Sequence, residues 1–275
     1  MRSIALALGA SLTWGLSDFF GPLKGRTLGV LRVLVYVQLG GLVAIAMVVA
    51  IRGKGPADPN VLFAIPAAIS GTLGFYAYYR GMGVGAMSIV APIAGISAAV
   101  PVVVGILSGD RPSPWQWLGI VAALGGVFLA SREPSRGGKV AAGVGLALLA
   151  AIGFGGYFPP MHAAGNADFW WASLIFRMTS TSVILAAVAI RRPSLAIKPI
   201  QVPLLALIGI GDMLGNFLFA AASTNGLVSI TSVLASLYPI VTVVLARLVL
   251  KERVARSQEA GIALTLAGVA LISAG

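Results

Sequence analysis

The chain has 275 residues, of which 58% are hydrophobic and 10% charged, with a mean hydropathy of +0.97 and a formal net charge of +11. A soluble surface needs roughly a quarter of its residues charged, so this composition excludes a soluble globular protein and fits a chain folded within a bilayer. The absence of cysteine excludes disulfides, thiolate catalysis and cysteine metal sites. Because the basic residues fall between apolar runs, their expected partners are membrane lipid headgroups and not nucleic acid.

At about 20 residues per crossing, the chain divides into ten spans. The first is expected over 4–20; Arg2 opens it as a signal peptide would, but the run continues through Trp14, Asp18 and Phe19 without a small-residue cleavage site, so it reads as a retained span. A loop carrying Pro22, Lys24 and Arg26 leads to a second span over 30–51, closed by Arg52, Lys54, Pro56 and Pro59. The third, over 61–82, holds Phe75, Tyr76, Tyr78 and Tyr79; Tyr79 and Arg80, near its end, are expected in the interfacial belt. The fourth covers 85–107, is broken by Asp110-Arg111-Pro112, and is followed by the fifth over 115–130. A joint at 132–139 divides the first half, 1–131, from the second, 140–275. In that half a sixth span over 140–158 is stopped by Pro159-Pro160, which leaves His162, the one histidine, in a loop. The remaining spans are expected over 169–190, 202–222, 229–250 and 256–274.

The halves are copies. Shifting Ile69–Ser108 by 141 residues onto Ile210–Val249 brings Leu73-Gly74 onto Leu214-Gly215, Tyr76 onto Phe217, Gly85 onto Gly226 and Ser88-Ile89 onto Ser229-Ile230. At 140, Trp14-Gly15 meets Phe154-Gly155 and Asp18 meets Phe158; at 142, Gly119 and Gly126 meet Gly261 and Gly268. Five spans per copy put the second upside down relative to the first. The expected fold is therefore an all-α membrane protein, with ten transmembrane helices as two inverted five-helix repeats. Glycines seven apart in the fifth and tenth helices lie on nearly one face, so those two are expected to pack closely, away from a substrate path.

Trp14-Gly15, Gly109-Asp110-Arg111 after the fourth span, Tyr238-Pro239 within the ninth and Lys251-Glu252-Arg253 after it resemble the EamA-type members of the drug/metabolite transporter superfamily. The resemblance covers essentially the whole chain, although the first copy carries Asp110 where the family pattern has glutamate. It implies a central cavity walled by helices 1–4 and 6–9, alternating access, both termini inside, and no particular substrate. The charge count points the other way on orientation. Arg2, Arg52, Lys54 and Arg111 share one side with the termini, whereas a longer set including Lys24, Arg26, Lys139, Arg191, Arg192, Lys198, Lys251 and Arg256 occupies the other, which places the termini outside.

An ionisable side chain at mid-membrane depth costs roughly 2.5–3.5 kcal/mol on insertion scales, so each needs a reason. Asp212 sits mid-span with Asn216 one turn on, opposite the aromatic turn of Phe75 and Tyr78, and Arg177 is within reach of Asp212. The pair is either a clamp for a zwitterion or a structural bridge between helices 7 and 8. Trp14, Phe75, Tyr78, Tyr157, Arg177, Asp212 and Asn216 form the expected substrate site. Asp212 and Asp18 are the candidate coupling carboxylates, Asp18 being near enough to a helix end for an interfacial role instead. Pro92 and Tyr238-Pro239 are expected to kink helices 4 and 9, as gating hinges or as packing.

No phosphate-cradling loop for ATP and no nucleophile, histidine-carboxylate or metal cluster occurs, so neither an ATP-driven pump nor an enzyme is expected, and no cofactor or metal. The expected function is secondary transport of a small metabolite, an amino acid or similar, in the export direction. The alternative is a proton-coupled multidrug exporter; a membrane-embedded enzyme or structural protein is the rival class. A monomer or weak homodimer in a bacterial cytoplasmic membrane completes the expectation.

Overall fold

A computed structural model describes residues 2–56, 58–98, 113–131, 137–225, 234–235, 237–251 and 256–274. Ten α-helices occur among them: α1 (Arg2–Leu28), α2 (Val30–Arg52), α3 (Ala64–Val84), α4 (Met87–Ala94), α5 (Pro114–Ser131), α6 (Gly137–Gly155), α7 (Phe158–Arg191), α8 (Val202–Asn225), α9 (Tyr238–Val249) and α10 (Arg256–Ala274). Short 3-10 turns, Pro59–Phe63 and Pro199–Gln201, lead into α3 and α8, and another, Gly95–Ala98, continues α4. Arg2–Leu28, Val30–Arg52, Pro59–Val84, Gly143–Arg191 and Pro199–Ala222 are long and apolar enough to cross a bilayer, and Tyr238–Val249 and Glu259–Leu271 are shorter apolar helices. The protein is thus an integral, multi-pass membrane protein. Gly109-Asp110-Arg111, the part of the joint over 132–136, Gly226, Ser229-Ile230 and Glu252-Arg253 lie outside the described residues.

Local chemistry sets the boundaries. Ser113 and Gln116 cap each other's backbone at the start of α5: Ser113 N donates to Gln116 Oε1 (2.9 Å) and Gln116 N to Ser113 Oγ (3.2 Å). Helix α1 does not stop at Phe20 as expected. It runs through Pro22 to Leu28, because Gly21 and Gly25 seat the ring of Tyr79, and Arg26 reaches the α3 terminus to donate to the carbonyls of Met82 (2.9 Å) and Gly85 (3.0 Å). Packing of this kind holds a proline-containing membrane helix together. Tyr79 accordingly belongs to the core and not to an interfacial belt.

The second correction also concerns proline. Pro159 and Pro160 start a helix instead of stopping one: they occupy the first turn of α7, where a missing N–H costs nothing. The interruption is the turn Gly156-Tyr157 before them, and His162 is helical, with Nε2 3.1 Å from Asn166 Nδ2. The helix boundary expected before Phe169 appears as a kink at Asp168 (φ −163°, ψ 105°). The Asp168 carboxylate caps the next segment by accepting from Trp170 N (2.9 Å) and Trp171 N (3.3 Å), and pairs with Arg52 at 2.7 Å.

Helix packing obeys the sequence repeat. Helix α1 packs on α8 as α6 does on α3, α1 on α9 as α6 on α4, and α2 on α8 as α7 on α3; α2–α7 and α5–α10 are self-matching pairs. Exchanging the two halves leaves this set unchanged. The α5–α10 contact is backbone on backbone: a methyl at Gly126 would lie 2.7 Å from the Gly261 carbonyl oxygen, and one at Gly268 would lie 2.6 Å from that of Gly119. Gly268→Ala should therefore lower stability by about 1–3 kcal/mol, read as a fall in Tm in detergent. Gly125→Ala, whose methyl would meet only a leucine methyl at 3.8 Å, should leave Tm near wild type.

Candidate functional site

A cavity of about 80 Å³ lies where the halves meet. Its walls come from α1, α2, α3, the 3-10 turn after α4, α6, the α6–α7 turn, α7, α8 and α9, and several lining residues are repeat-equivalent positions. Trp14 is matched by Phe154, Asp18 by Phe158, Gly71 by Asp212, Phe75 by Asn216 and Ser97 by Tyr238. In the second, third and fourth of these pairs, one copy supplies a carboxylate or amide and the other an aromatic ring or glycine. Duplication made the wall, and divergence made it polar on chosen sides.

The polar side is one connected chain. Arg177, buried to 1% exposure, donates to Asp212 Oδ2 at 2.6 Å and to the Gln38 side-chain oxygen. Gln38 Nε2 donates to Ser180 Oγ at 2.6 Å, and Ser180 shares a 2.6 Å bond with Thr72 Oγ1. On the other flank Asn216 Nδ2 donates to the Asp212 carbonyl (2.9 Å), and the Tyr157 hydroxyl donates to Asn216 Oδ1 (2.9 Å). Four helices and the α6–α7 turn are thereby tied by one buried charge pair and its hydrogen bonds, an arrangement that is stiff when complete and costly when broken. Glycine makes it possible. A methyl at Gly41 would lie 2.8 Å from the Gly209 carbonyl oxygen and 3.1 Å from the Arg177 guanidinium carbon, and one at Gly209 would overlap the Val37 carbonyl. The bare backbones let α2 and α8 cross close enough for Gln38 to reach Arg177.

Asp18 differs from Asp212. It is buried to 5% exposure in the interior of α1, not near a helix end, and lines the cavity. Among the described residues its carboxylate shares no hydrogen bond or ion pair. Pro22 four residues on has no N–H to give the Asp18 carbonyl, so both polar groups of that residue lack the partners a regular helix and a salt bridge would supply.

Trp14, Phe75, Tyr157, Arg177, Asp212, Asn216 and Asp18 are brought together at this cavity, as is Tyr238. Tyr78 is not: its ring is fully buried in the core, 5.6 Å from that of Phe154, and does not form part of the lining. Pro92 is inside α4 and away from the lining, where it removes one helical hydrogen bond. Pro239 is in the first turn of α9, just after a turn at Leu237, and has no N–H to give the carbonyl of the helical Ala235 four residues before it; its ring packs on Gly95 beyond the end of α4. Gln38, Thr72, Ser97, Phe176 and Ser180 also line the cavity. Of these, Gln38 carried a signal, an amide in the middle of an otherwise apolar span.

Among the described residues no group of histidines and carboxylates is placed to hold a metal ion. One solved crystal structure, 12% identical, superposes on this chain with a TM-score of 0.65, covering 98% of this chain and 95% of that one, and so shares the fold. No curated protein matches the chain. The model of the EamA-like transporter family matches it over residues 1–132 and again over 141–274.

Proposed function

This chain belongs to the EamA-like transporter family, and on that premise we propose that it exports a small zwitterionic metabolite, an amino acid or similar, by alternating access through ten membrane crossings arranged as two inverted halves. The Arg177–Asp212 pair at the cavity wall carries this reading. A guanidinium with donors to spare suits a carboxylate, and a carboxylate beside it suits an ammonium. Phe75, Phe154 and Phe158 supply an apolar wall for the rest of the solute. A cavity of about 80 Å³ favours a compact solute over the bulky cations of a multidrug exporter.

Coupling falls to Asp18 in this reading. Asp212 is held by Arg177, whereas Asp18 has no fixed counter-charge and is free to take up and release a proton as the cavity changes sides. Counterflow in proteoliposomes tests both parts. Exchange is expected for an amino acid, with analogues lacking either the amine or the carboxylate competing roughly 10- to 100-fold more weakly; equal competition by the analogues would set the zwitterion reading aside. Asp18→Asn should reduce pH-gradient-driven transport to background while leaving counterflow near wild type. An unchanged gradient response in that variant removes Asp18 from the mechanism.

A further inference from the structure

Away from the cavity, at the end of the molecule opposite the Arg52–Asp168 pair, the start of α2, the last turns of α3 and the end of α7 converge on a groove of about 320 Å³. Arg32, Arg80 and Arg191 line it, with Tyr76 and Ser194, and among the described residues no carboxylate does. Arg32 spends one donor, Nε, on the Ser194 carbonyl at 2.7 Å. Its two terminal nitrogens, and the whole guanidinium groups of Arg80 and Arg191, are without an acceptor among the described residues. Three like charges around one groove repel one another, and no carboxylate among the described residues that line it offsets them.

The packing shared by the two halves does not require Arg80. At the repeat-equivalent positions of α8, Tyr76 becomes Phe217 and Arg80 becomes Ala221. Nor is the groove isolated from the lipid. Ile65, Ile69 and Leu73 are exposed on α3 at spacings of one turn, on the stripe that ends in Tyr76 and Arg80. An acyl chain lying along that stripe would deliver its headgroup to the arginines.

We propose that this groove is a binding site for the phosphate of an anionic phospholipid, held by the guanidinium groups of Arg32, Arg80 and Arg191. Guanidinium forks match phosphate oxygens in pairs, and basic pockets between membrane helices are a recurring mode of headgroup binding. The site joins the halves, since Arg32 and Arg80 belong to the first and Arg191 to the second. An occupied site would bridge α2, α3 and α7, two of which hold Gln38 and Arg177.

Native mass spectrometry and thermal shift of the detergent-purified protein test this, with phosphatidylglycerol, phosphatidylcholine and inorganic phosphate as separate probes. Phosphatidylglycerol should be retained in preference to phosphatidylcholine and should raise Tm, and inorganic phosphate at the same concentration should not. Arg80→Gln and Arg191→Gln should each cut the preference roughly five-fold without changing Tm in lipid-free detergent. If either loses stability there, Arg80→Lys gives a second reading, with a smaller loss of preference than Arg80→Gln. A wild-type preference in the double glutamine variant, no preference in the wild type, or an inorganic phosphate shift equal to that of the lipid would overturn the proposal.

Discussion

Arg177→Gln should destabilise the protein by about 3–5 kcal/mol and abolish transport, and the double variant Arg177→Gln/Asp212→Asn should recover most of the lost Tm yet still fail to transport. The first outcome follows from burial. With Arg177 at 1% exposure, removing its charge strands the Asp212 carboxylate in an apolar interior and leaves the Gln38 oxygen without its donor. Neutralising both partners leaves no stranded charge, and buried ion pairs replaced as a unit are often neutral in stability. Transport distinguishes a bridge from a clamp. A pair that only joins α7 to α8 would regain activity along with stability; a pair that receives a charged solute would not. Thermal denaturation and counterflow on the same preparations read both, and recovered transport in the double variant would retire the clamp.

Gly209→Ala should be nearly as damaging although it adds one methyl. That methyl would overlap the Val37 carbonyl oxygen and lie 3.0 Å from the Val37 Cα, and these are backbone atoms with no rotamer to escape into. Helix α2 has to move off α8. The displacement falls one residue from Gln38 and one turn from Asp212, so it pulls the amide away from Arg177 as it opens the contact. Overpacking of this kind costs about 1–3 kcal/mol, and the expected signature is a lower Tm together with lost counterflow. Gly145→Ala, where a methyl meets open space, serves as the control and should match wild type in both.

The duplicated architecture was legible because glycine and aromatic positions recur at fixed shifts, and the α5–α10 contact could be read from glycines spaced two turns apart. Prolines were misread. Pro22 sits inside α1 because the ring of Tyr79 and the reach of Arg26 brace that helix, and Pro159-Pro160 open a segment because first-turn residues need no N–H; neither tertiary support nor helix phase is visible in the dipeptide itself. At the site, charged and amide side chains within apolar runs gave Arg177, Asp212 and Asn216 away. Thr72 and Ser180 did not stand out, since small hydroxyls are common in membrane helices and become significant only once helix crossing shows what they face. Tyr78 failed for the same reason in reverse: it shares the aromatic stretch with Phe75, but the crossing of α3 and α6 turns it into the core.

The unbroken α1 and the interrupted α6–α7 stretch occupy equivalent places in the two copies, with Ser17 matched by Tyr157. One copy therefore serves as a strut and the other carries an elbow at the wall of the chamber, with the forearm over residues 158–167 moored to α2 by Arg52 and Asp168. The two copies thus differ in stiffness where they border the chamber, a continuous rod in one and a jointed pair of segments in the other.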